Sequence, residues 1–386
     1  MKEYKYLYQR MLDEDIIRKA YKKLRKGKTK RREIQQIDAN LDAEVAKMRE
    51  MIRNTRPGEV EHPELAYKPH KRTPKLIKEH GKERRIYMPE IHEQWLHHII
   101  VLILEPIIVA TAYPYSCGSF PKRGAHYGKK KIKSWMSDIK GTKYYAKLDI
   151  RHFYENIRID VLMRELSIRI KDSWFLYIIE LCLKGFKKGI PLGFYISQWL
   201  ANYILEPLDK FITRTFQKYM RYMDDMVIFS GNKKKLHEIT VEIAKMLGRR
   251  FRLKLKNNYQ VVRFIYEKPG KKIGRPLDYM GFLFFRDRIT IRKKIMLSAT
   301  RMATYLAKRK EQGKKWYLKK VESMVSYVGW FTCTDTYQAY LDRIKPCVDI
   351  GKLKKIISRI RRKQNHESMV TGIVCREAGG AAACSA

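Results

Sequence analysis

Two adjacent carboxylates, Asp224 and Asp225, interrupt the otherwise apolar, strand-like run Met220-Arg221-Tyr222-Met223-Asp224-Asp225-Met226-Val227-Ile228-Phe229. Most Asp-Asp pairs lie in turns or cap helices, since short acidic side chains bond readily to their own backbone. Here the apolar and aromatic flanks read as two short strands, which places the pair at the tip of a tight hairpin. Neighbouring ionised carboxylates repel, and desolvation adds to the cost unless a cation compensates. The chain is therefore expected to fold around a cation-binding hairpin tip.

Composition narrows the partner. The 386 residues carry 83 Lys and Arg against 40 Asp and Glu, a formal charge of +43, and 45% are hydrophobic. That length exceeds what one core usually serves, so several subdomains are expected. Self-repulsion on this scale is relieved by a polyanion, and nucleic acid is the expected partner. The positive charge is spread along the whole chain, whereas a membrane-surface protein concentrates it in one amphipathic helix or tail. Cys117, Cys182, Cys333, Cys347, Cys375 and Cys384 have neither CxxC pairs nor zinc-ligand spacing, so reduced thiols are expected. Charges recur from the N-terminus onward and no apolar stretch approaches the roughly 20 residues of a membrane span. A cytoplasmic location with no membrane association is the expectation.

The hydrophobic pattern predicts two or three helices up to about residue 56, with Met11, Ile16, Ile17 and Tyr21 on one face, interrupted by the basic stretch Arg25–Arg32. That stretch reads equally as a phosphate contact or a solvated loop. A Pro-containing region from Pro57 to Pro74 precedes a hairpin over Ile77–Pro89 with Gly81 at its turn. Helices are expected over Ile91–Ala112, Lys131–Ile139, Val161–Leu183, Ser197–Phe216 and about Lys234–Leu247. Gly185–Gly193 is expected as a loop. Strands should dominate Phe251–Thr290, followed by a basic helical tail ending near Lys363. The small-residue segment Ala378–Ala386 has the composition of disorder.

Asp149 closes a second strand-like stretch, Lys143–Ile150, and is followed by Phe153 and Tyr154. Alone it would read as a helix N-cap in a sizeable minority of cases. Set beside Asp224 and Asp225, it completes a trio able to clamp two divalent ions. Two Mg2+ about 4 Å apart stabilise the attacking and leaving oxygens of an in-line phosphoryl transfer, and Mg2+ favours carboxylates, waters and phosphates.

With these residues in view, the chain resembles the reverse transcriptases over roughly residues 75 to 345. Lys147–Tyr154 is similar to the family's palm motif A, Tyr222-Met223-Asp224-Asp225 to its YxDD motif C, and Asp278-Tyr279-Met280-Gly281-Phe282 to the primer grip. The resemblance implies an α+β right-hand polymerase. Its expected parts are a helical N-terminal extension (1–60), fingers (61–140), a palm with a finger insertion (141–290), a helical thumb (291–365) and a disordered tail (366–386). It further implies catalytic, metal-binding roles for Asp149, Asp224 and Asp225, a metal contact from the Ile150 carbonyl, Mg2+ (with Mn2+ as a substitute) as cofactor, and dNTPs as substrates. Tyr154 falls where the family places the aromatic ring that excludes a 2'-hydroxyl. Tyr279, Met280 and Gly281 are the implied primer grip.

Other implied nucleotide contacts come with departures from the family pattern. In the fingers, Lys82, Arg84 and Arg85 face the triphosphate, with Arg85 the first choice; a solvated surface role is equally open to each. The stretch Cys117–His126 resembles the bacterial motif 2, but Phe120 stands where many relatives carry Arg, which shifts weight to Arg123. In motif D the usual lysine position falls on Asn258, leaving Lys256 as the candidate proton donor to pyrophosphate, a role worth about 10²- to 10⁴-fold. Motif B reads Pro191-Leu192-Gly193 and Ser197-Gln198 where retroviral and group II intron relatives read Pro-Gln-Gly and Ser-Pro. This form resembles the reverse transcriptases of diversity-generating retroelements. It assigns Leu192, Gly193, Ser197 and Gln198 to the nucleotide pocket, and an apolar Leu192 against the base pair implies low fidelity.

Further along, Tyr327–Phe331 reads as thumb core, and the basic stretch Lys352–Lys363 as a duplex contact. The reading that follows is an RNA-directed DNA polymerase working on template RNA and an RNA–DNA duplex, aided in a diversity-generating element by a small helical basic accessory protein. A phage-defence, retron-like or group II intron-related enzyme is the alternative. A catalytically silent nucleic-acid scaffold is the alternative of another class, against which the three intact aspartates speak.

Overall fold

Four short amphipathic helices open the chain in the computed structural model, which describes residues 2–69, 73–79, 82–186 and 188–362. They are α1 (Leu7–Met11), α2 (Glu14–Arg25), α3 (Arg32–Ala39) and α4 (Leu41–Arg53). The Asp13 side chain caps α2 by accepting from the Asp15 amide, satisfying one of the amides a helix start leaves unpaired. The basic stretch Arg25–Arg32 bridges α2 and α3. Ile17, Ala20, Tyr21 and Leu24 of α2 are buried. They lie against α5 (Ile91–Val109), where the Trp95 indole N–H donates to the Ile17 carbonyl at 2.9 Å. Between them, β1 (Lys75–Glu79) and β2 (Lys82–Ile86) form the expected hairpin; its Gly81 turn lies outside the described residues.

The long apolar segments break more often than periodicity alone predicts. The helix expected over Lys131–Ile139 is α6, Ala125–Met136, which starts earlier and stops sooner. Val161–Leu183 divides into α8 (Ile159–Ser167) and α9 (Ser173–Leu183), because Asp172 starts a new helix by accepting from the Phe175 amide at 3.0 Å. Ser197–Phe216 divides into α10 (Tyr195–Ile204) and α11 (Glu206–Thr213), with Pro207 in the first turn of α11, where its missing N–H costs nothing. The remaining helices of this part are α7 (Phe153–Asn156) and α12 (Lys233–Phe251).

These helices surround a five-stranded sheet of β3 (Ser116–Cys117), β4 (Tyr144–Asp149), β5 (Tyr219–Tyr222), β6 (Asp225–Ser230) and β7 (Gln260–Arg263), in the spatial order β3-β5-β6-β4-β7. All neighbours are antiparallel except the β3–β5 pair. Met226 to Phe229 are all buried, as expected of a central strand covered on both faces. Tyr145 and Phe229 pack together on one face with Trp135, while Ala146, Leu148, Met226 and Ile228 join the main core.

Residues 1–263 and 264–386 form two compact units, and the division falls within the 141–290 stretch expected as palm. The second unit holds β8 (Tyr266–Lys268), β9 (Lys271–Ile273), β10 (Leu277–Tyr279), β11 (Phe282–Phe284) and β12 (Ile289–Ile291). Its helices are α13 (Lys293–Glu311), α14 (Leu318–Thr332) and α15 (Tyr337–Arg343). Strands β10, β11 and β12 form an antiparallel sheet. Ala299, Ala303, Leu306, Val321, Met324 and Phe331 are fully buried between α13 and α14. The backbone is helical again over 350–362, which includes most of the basic stretch beginning at Lys352; the tail from 363 onward lies outside the described residues.

Candidate active site

The site is built by strand register. Strand β5 and strand β6 form the expected hairpin, and Tyr222 pairs with Asp225 at its end. Met223 and Asp224 make the turn, with Met223 in the left-handed region at φ 56°. On the other side of β6, Asp149 at the end of β4 lies directly opposite Asp225. Residues facing one another across antiparallel strands project to the same side of the sheet. Asp149 and Asp225 are thus brought together by pairing, and Asp224 is joined to them through the turn. Asp149 ends a strand and does not cap a helix.

The electrostatics of the trio are those of an acidic centre that a single lysine compensates only in part. Burial pushes the Asp224 carboxyl up to about 6, with the charges of Asp225 and then Asp149 adding to the effect. One oxygen of Asp149, Oδ1, is buried with no hydrogen-bond partner among the described residues. Its other oxygen takes an ion pair from Lys256 Nζ. The backbone fixes that approach: Arg252 ends α12 in the left-handed region. The chain then returns along β4, with the Arg151 amide donating to the Lys254 carbonyl and the Lys256 amide to the Asp149 carbonyl, both at 2.8 Å.

Among the described residues no trio of acidic, His or Cys side chains is already closed around one point. The carboxylates are neighbours held by backbone geometry, with one position occupied by a lysine ammonium. An orphaned carboxylate oxygen and a carboxyl raised by like charge are what a hard divalent cation relieves, so the donor set fits Mg2+.

A cleft of about 600 Å3 is lined among others by Arg85, Tyr87, Tyr154, Lys188, Gly189 and Leu192; none of the three aspartates lines it, and Tyr154, which feels the Asp224 charge, is the residue that relates it to the trio. Burial raises the Tyr154 phenol well above its ordinary value, with the Asp224 charge contributing, so the ring stays neutral. The Tyr154 carbonyl accepts from the Ile190 amide at 2.8 Å, and the Tyr87 amide donates to the Leu192 carbonyl at 2.8 Å. These bonds dock the 189–193 loop between the β2 end and α7. At Gly193, φ is +104° and an added Cβ would lie 2.1 Å from the Tyr87 carbonyl oxygen.

The structure gathers some of the expected residues into this cleft and disperses others. Arg85, Tyr154 and Leu192 line it together. Gly193 abuts its wall. Ser197 is buried, with an Oγ that has no hydrogen-bond partner among the described residues. Gln198 is exposed and accepts from the Ser119 hydroxyl at 3.1 Å, beside the Met223 sulfur. Arg123 lies elsewhere: its guanidinium stands over the Phe120 ring at 5.6 Å and lines a separate depression with Glu105, Pro106 and Val109. Phe120, the departure from the motif 2 pattern, is buried edge-on against Trp199. Cys117 is buried and its thiol is pushed up to about 12, which leaves it inert.

In the second unit, Tyr279 is fully buried, Met280 has φ 51°, and Gly281 packs under Trp330, whose ring an added Cβ would meet at 2.7 Å. Arg292 donates to Asp278 Oδ1 at 2.5 Å across the same turn region.

A feature the sequence reading passed over is Arg221. It is 1% exposed and donates to both oxygens of Asp209, to Asn202 Oδ1 and to the Met223 carbonyl. A charged residue at the centre of an apolar strand demands a partner, and that demand was the available signal.

The hairpin thus presents paired carboxylates opposite a third strand-end carboxylate within a mixed α/β fold. The chain belongs to the reverse transcriptase family: the family described as "Reverse transcriptase (RNA-dependent DNA polymerase)" matches residues 70–282. Protein YkfC of Escherichia coli is 20% identical over 281 residues, covering 61% of this chain and 70% of that protein. The group II intron-encoded protein LtrA of Lactococcus lactis is 27% identical over 157 residues, 38% of this chain and 26% of LtrA. A mitochondrial nuclear intron maturase of Arabidopsis thaliana is 31% identical over 113 residues, 28% of this chain and 16% of the maturase. Among solved structures, Candida albicans telomerase with telomeric RNA aligns at TM-score 0.42 and 12% identity, over 75% of this chain and 64% of that one. Apo telomerase of Candida tropicalis aligns at 0.45 and 10%, over 73% and 59%. No helix of the described residues is long and apolar enough to cross a membrane.

Proposed function

We propose that the chain copies a template RNA into cDNA by two-metal nucleotidyl transfer, with Asp149, Asp224 and Asp225 as the metal-binding carboxylates. The observation that carries this reading is the register of Asp149 against Asp225, with Asp224 crowded to about 6 in the adjoining turn. Mg2+, bound there, would stabilise charge on the reacting oxygens. Around it the protein supplies position. Arg85 neutralises the triphosphate from the β2 side of the cleft. Tyr154 fills the space a 2'-hydroxyl would need. The docked 189–193 loop sets Leu192 against the nascent pair. Lys256, held on Asp149, is placed to follow the charge at the trio. Incorporation of dNTPs on an RNA template, compared between the native chain and the Asp224→Ala plus Asp225→Ala variant, tests this; equal signals would leave the scaffold reading.

The diversity-generating reading rests on the motif B form, Gly193 followed by Ser197-Gln198, and its low-fidelity part on Leu192, an apolar residue lining the cleft where a hydrogen-bonding glutamine is usual in the family. It entails error-prone copying, particularly at template adenines, and a small basic helical accessory protein. Ordinary error rates in primer extension would count against it. The group II intron reading is favoured by a different observation, the similarity to LtrA and to the Arabidopsis maturase. The RNA that co-purifies with the chain separates the two, since an intron and a template repeat differ in sequence and structure.

A further inference from the structure

We propose that Arg221, clamped by Asp209 and Asn202, is a positioning residue that fixes the Met223–Asp224 turn and so sets the metal affinity and turnover of the centre. The proposal rests on the catalytic reading of Asp224 and concerns a group that touches neither substrate nor metal.

The polar atoms of Met223 are held from below. Its amide donates to the Cys117 carbonyl at 3.2 Å. Its carbonyl, one bond from the Asp224 nitrogen, accepts from Arg221 Nη1 at 3.0 Å. Its sulfur receives the Asn202 side-chain amide at 3.5 Å and lies 3.5 Å from the Ser119 oxygen, whose proton goes to Gln198. Since Met223 sits at φ 56°, a conformation non-glycine residues adopt only under local constraint, these bonds hold the turn in a shape it would not keep alone.

Arg221 is in turn immobilised. Nε and Nη2 grip Asp209 at 2.8 and 2.6 Å in a two-pronged pair, and Nη1 also reaches Asn202 Oδ1 at 3.0 Å. The Tyr219 hydroxyl donates to Asp209 at 2.7 Å, and the Asn202 side-chain amide donates to the Gly118 carbonyl at 3.3 Å. Arg221, Asp209 and Asn202 are at most 2% exposed. The bracket links α10, α11 and β5 to the one peptide that aims Asp224. A buried ion pair is weak evidence of stability, and replacing both partners with apolar residues is often neutral. The fourth contact, to the Met223 carbonyl, is the one that reaches the turn carrying Asp224.

The test separates holding the turn from holding the fold. In the double variant Arg221→Met plus Asp209→Leu both charges leave together, so no unpaired charge is buried and the variant should still melt cooperatively, lower only by the bonds lost at the Tyr219 hydroxyl and Asn202 Oδ1. The kcat for dNTP incorporation should fall about 100-fold, the cost of a misplacement near 1 Å, with the nucleotide KM within about threefold. Mn2+ binding measured by calorimetry should weaken several-fold, a readout independent of turnover. Asn202→Leu, which keeps the ion pair, is the second variant and should show the same pattern at about tenfold in kcat. A cooperatively folded double or Asn202→Leu variant with native kcat and native Mn2+ affinity would overturn the proposal. If the native chain fails to incorporate dNTPs in an Asp224-dependent way, the catalytic reading fails instead, and the Mn2+ titrations alone decide for or against the bracket.

Discussion

Asp224 shows how one residue can work against folding in favour of chemistry. Its carboxyl, ordinarily near 3.8, stands at about 6 in the folded site. The folded state therefore holds the proton more tightly than the unfolded chain, a stabilising contribution present below about pH 4 and lost as pH rises through 6. Asp224→Asn is expected to raise the metal-free thermal stability at pH 7.5 by roughly 1–2 kcal/mol, with the gain shrinking toward pH 4.5, while abolishing incorporation. Calorimetric melts at the two pH values check this. Metal and proton compete for the same group, so Mn2+ affinity should climb with pH up to about 6 and level off above it. Tyr154→Ala should lower the preference for dNTPs over NTPs by at least about tenfold, read as the ratio of kcat/KM values. The juxtaposition of Asp149 and Asp225 was legible because both stand at the ends of strand-like stretches, with Asp224 in the turn between β5 and β6. Arg221 was not, because a local pattern cannot show that Asp209 and Asn202, on two later-packed helices, supply its partners. Arg123 was a candidate through the motif 2 resemblance; in the structure its guanidinium stands over the Phe120 ring and lines a depression other than the one that holds Arg85.

At the scale of elements, the 189–193 loop is the piece whose conformation the cleft depends on. Gly193→Ala would force a side chain into φ +104° and against the Tyr87 carbonyl. The variant should lose roughly 2–3 kcal/mol, seen as a thermal midpoint lower by roughly 5 °C, and should raise the nucleotide KM because Leu192 and Tyr87 share that contact. The two hairpins were read from sequence, β1–β2 from Gly81 between two short stretches and β5–β6 from apolar flanks on either side of an acidic pair. Helix boundaries were read less well. Helically patterned stretches over 161–183 and 197–216 conceal breaks that depend on a capping bond from Asp172 and on Pro207 at a helix start. Both signals are single residues, easily outweighed by periodicity summed over a long window.

For the whole molecule, the charge of +43 sets the terms of any partnership. If the basic surface neutralises six to ten phosphates, RNA affinity should fall by about 10³- to 10⁵-fold between 50 and 200 mM salt; a slope near zero in a filter-binding titration would show that the cations are not engaged. Family motifs made the reverse transcriptase family legible, while composition points to a polyanion partner that this titration tests. The partition into two compact units, with a boundary at 263/264, was not legible, because it depends on which strands pair. The most direct test of the central claim is single-turnover dNTP incorporation on a primed RNA template with Mg2+, comparing the native chain with Asp224→Ala plus Asp225→Ala. Extension by the native chain and none above background by the variant is the result expected. Equal extension by both would mean that the paired aspartates of the hairpin tip do not perform the chemistry.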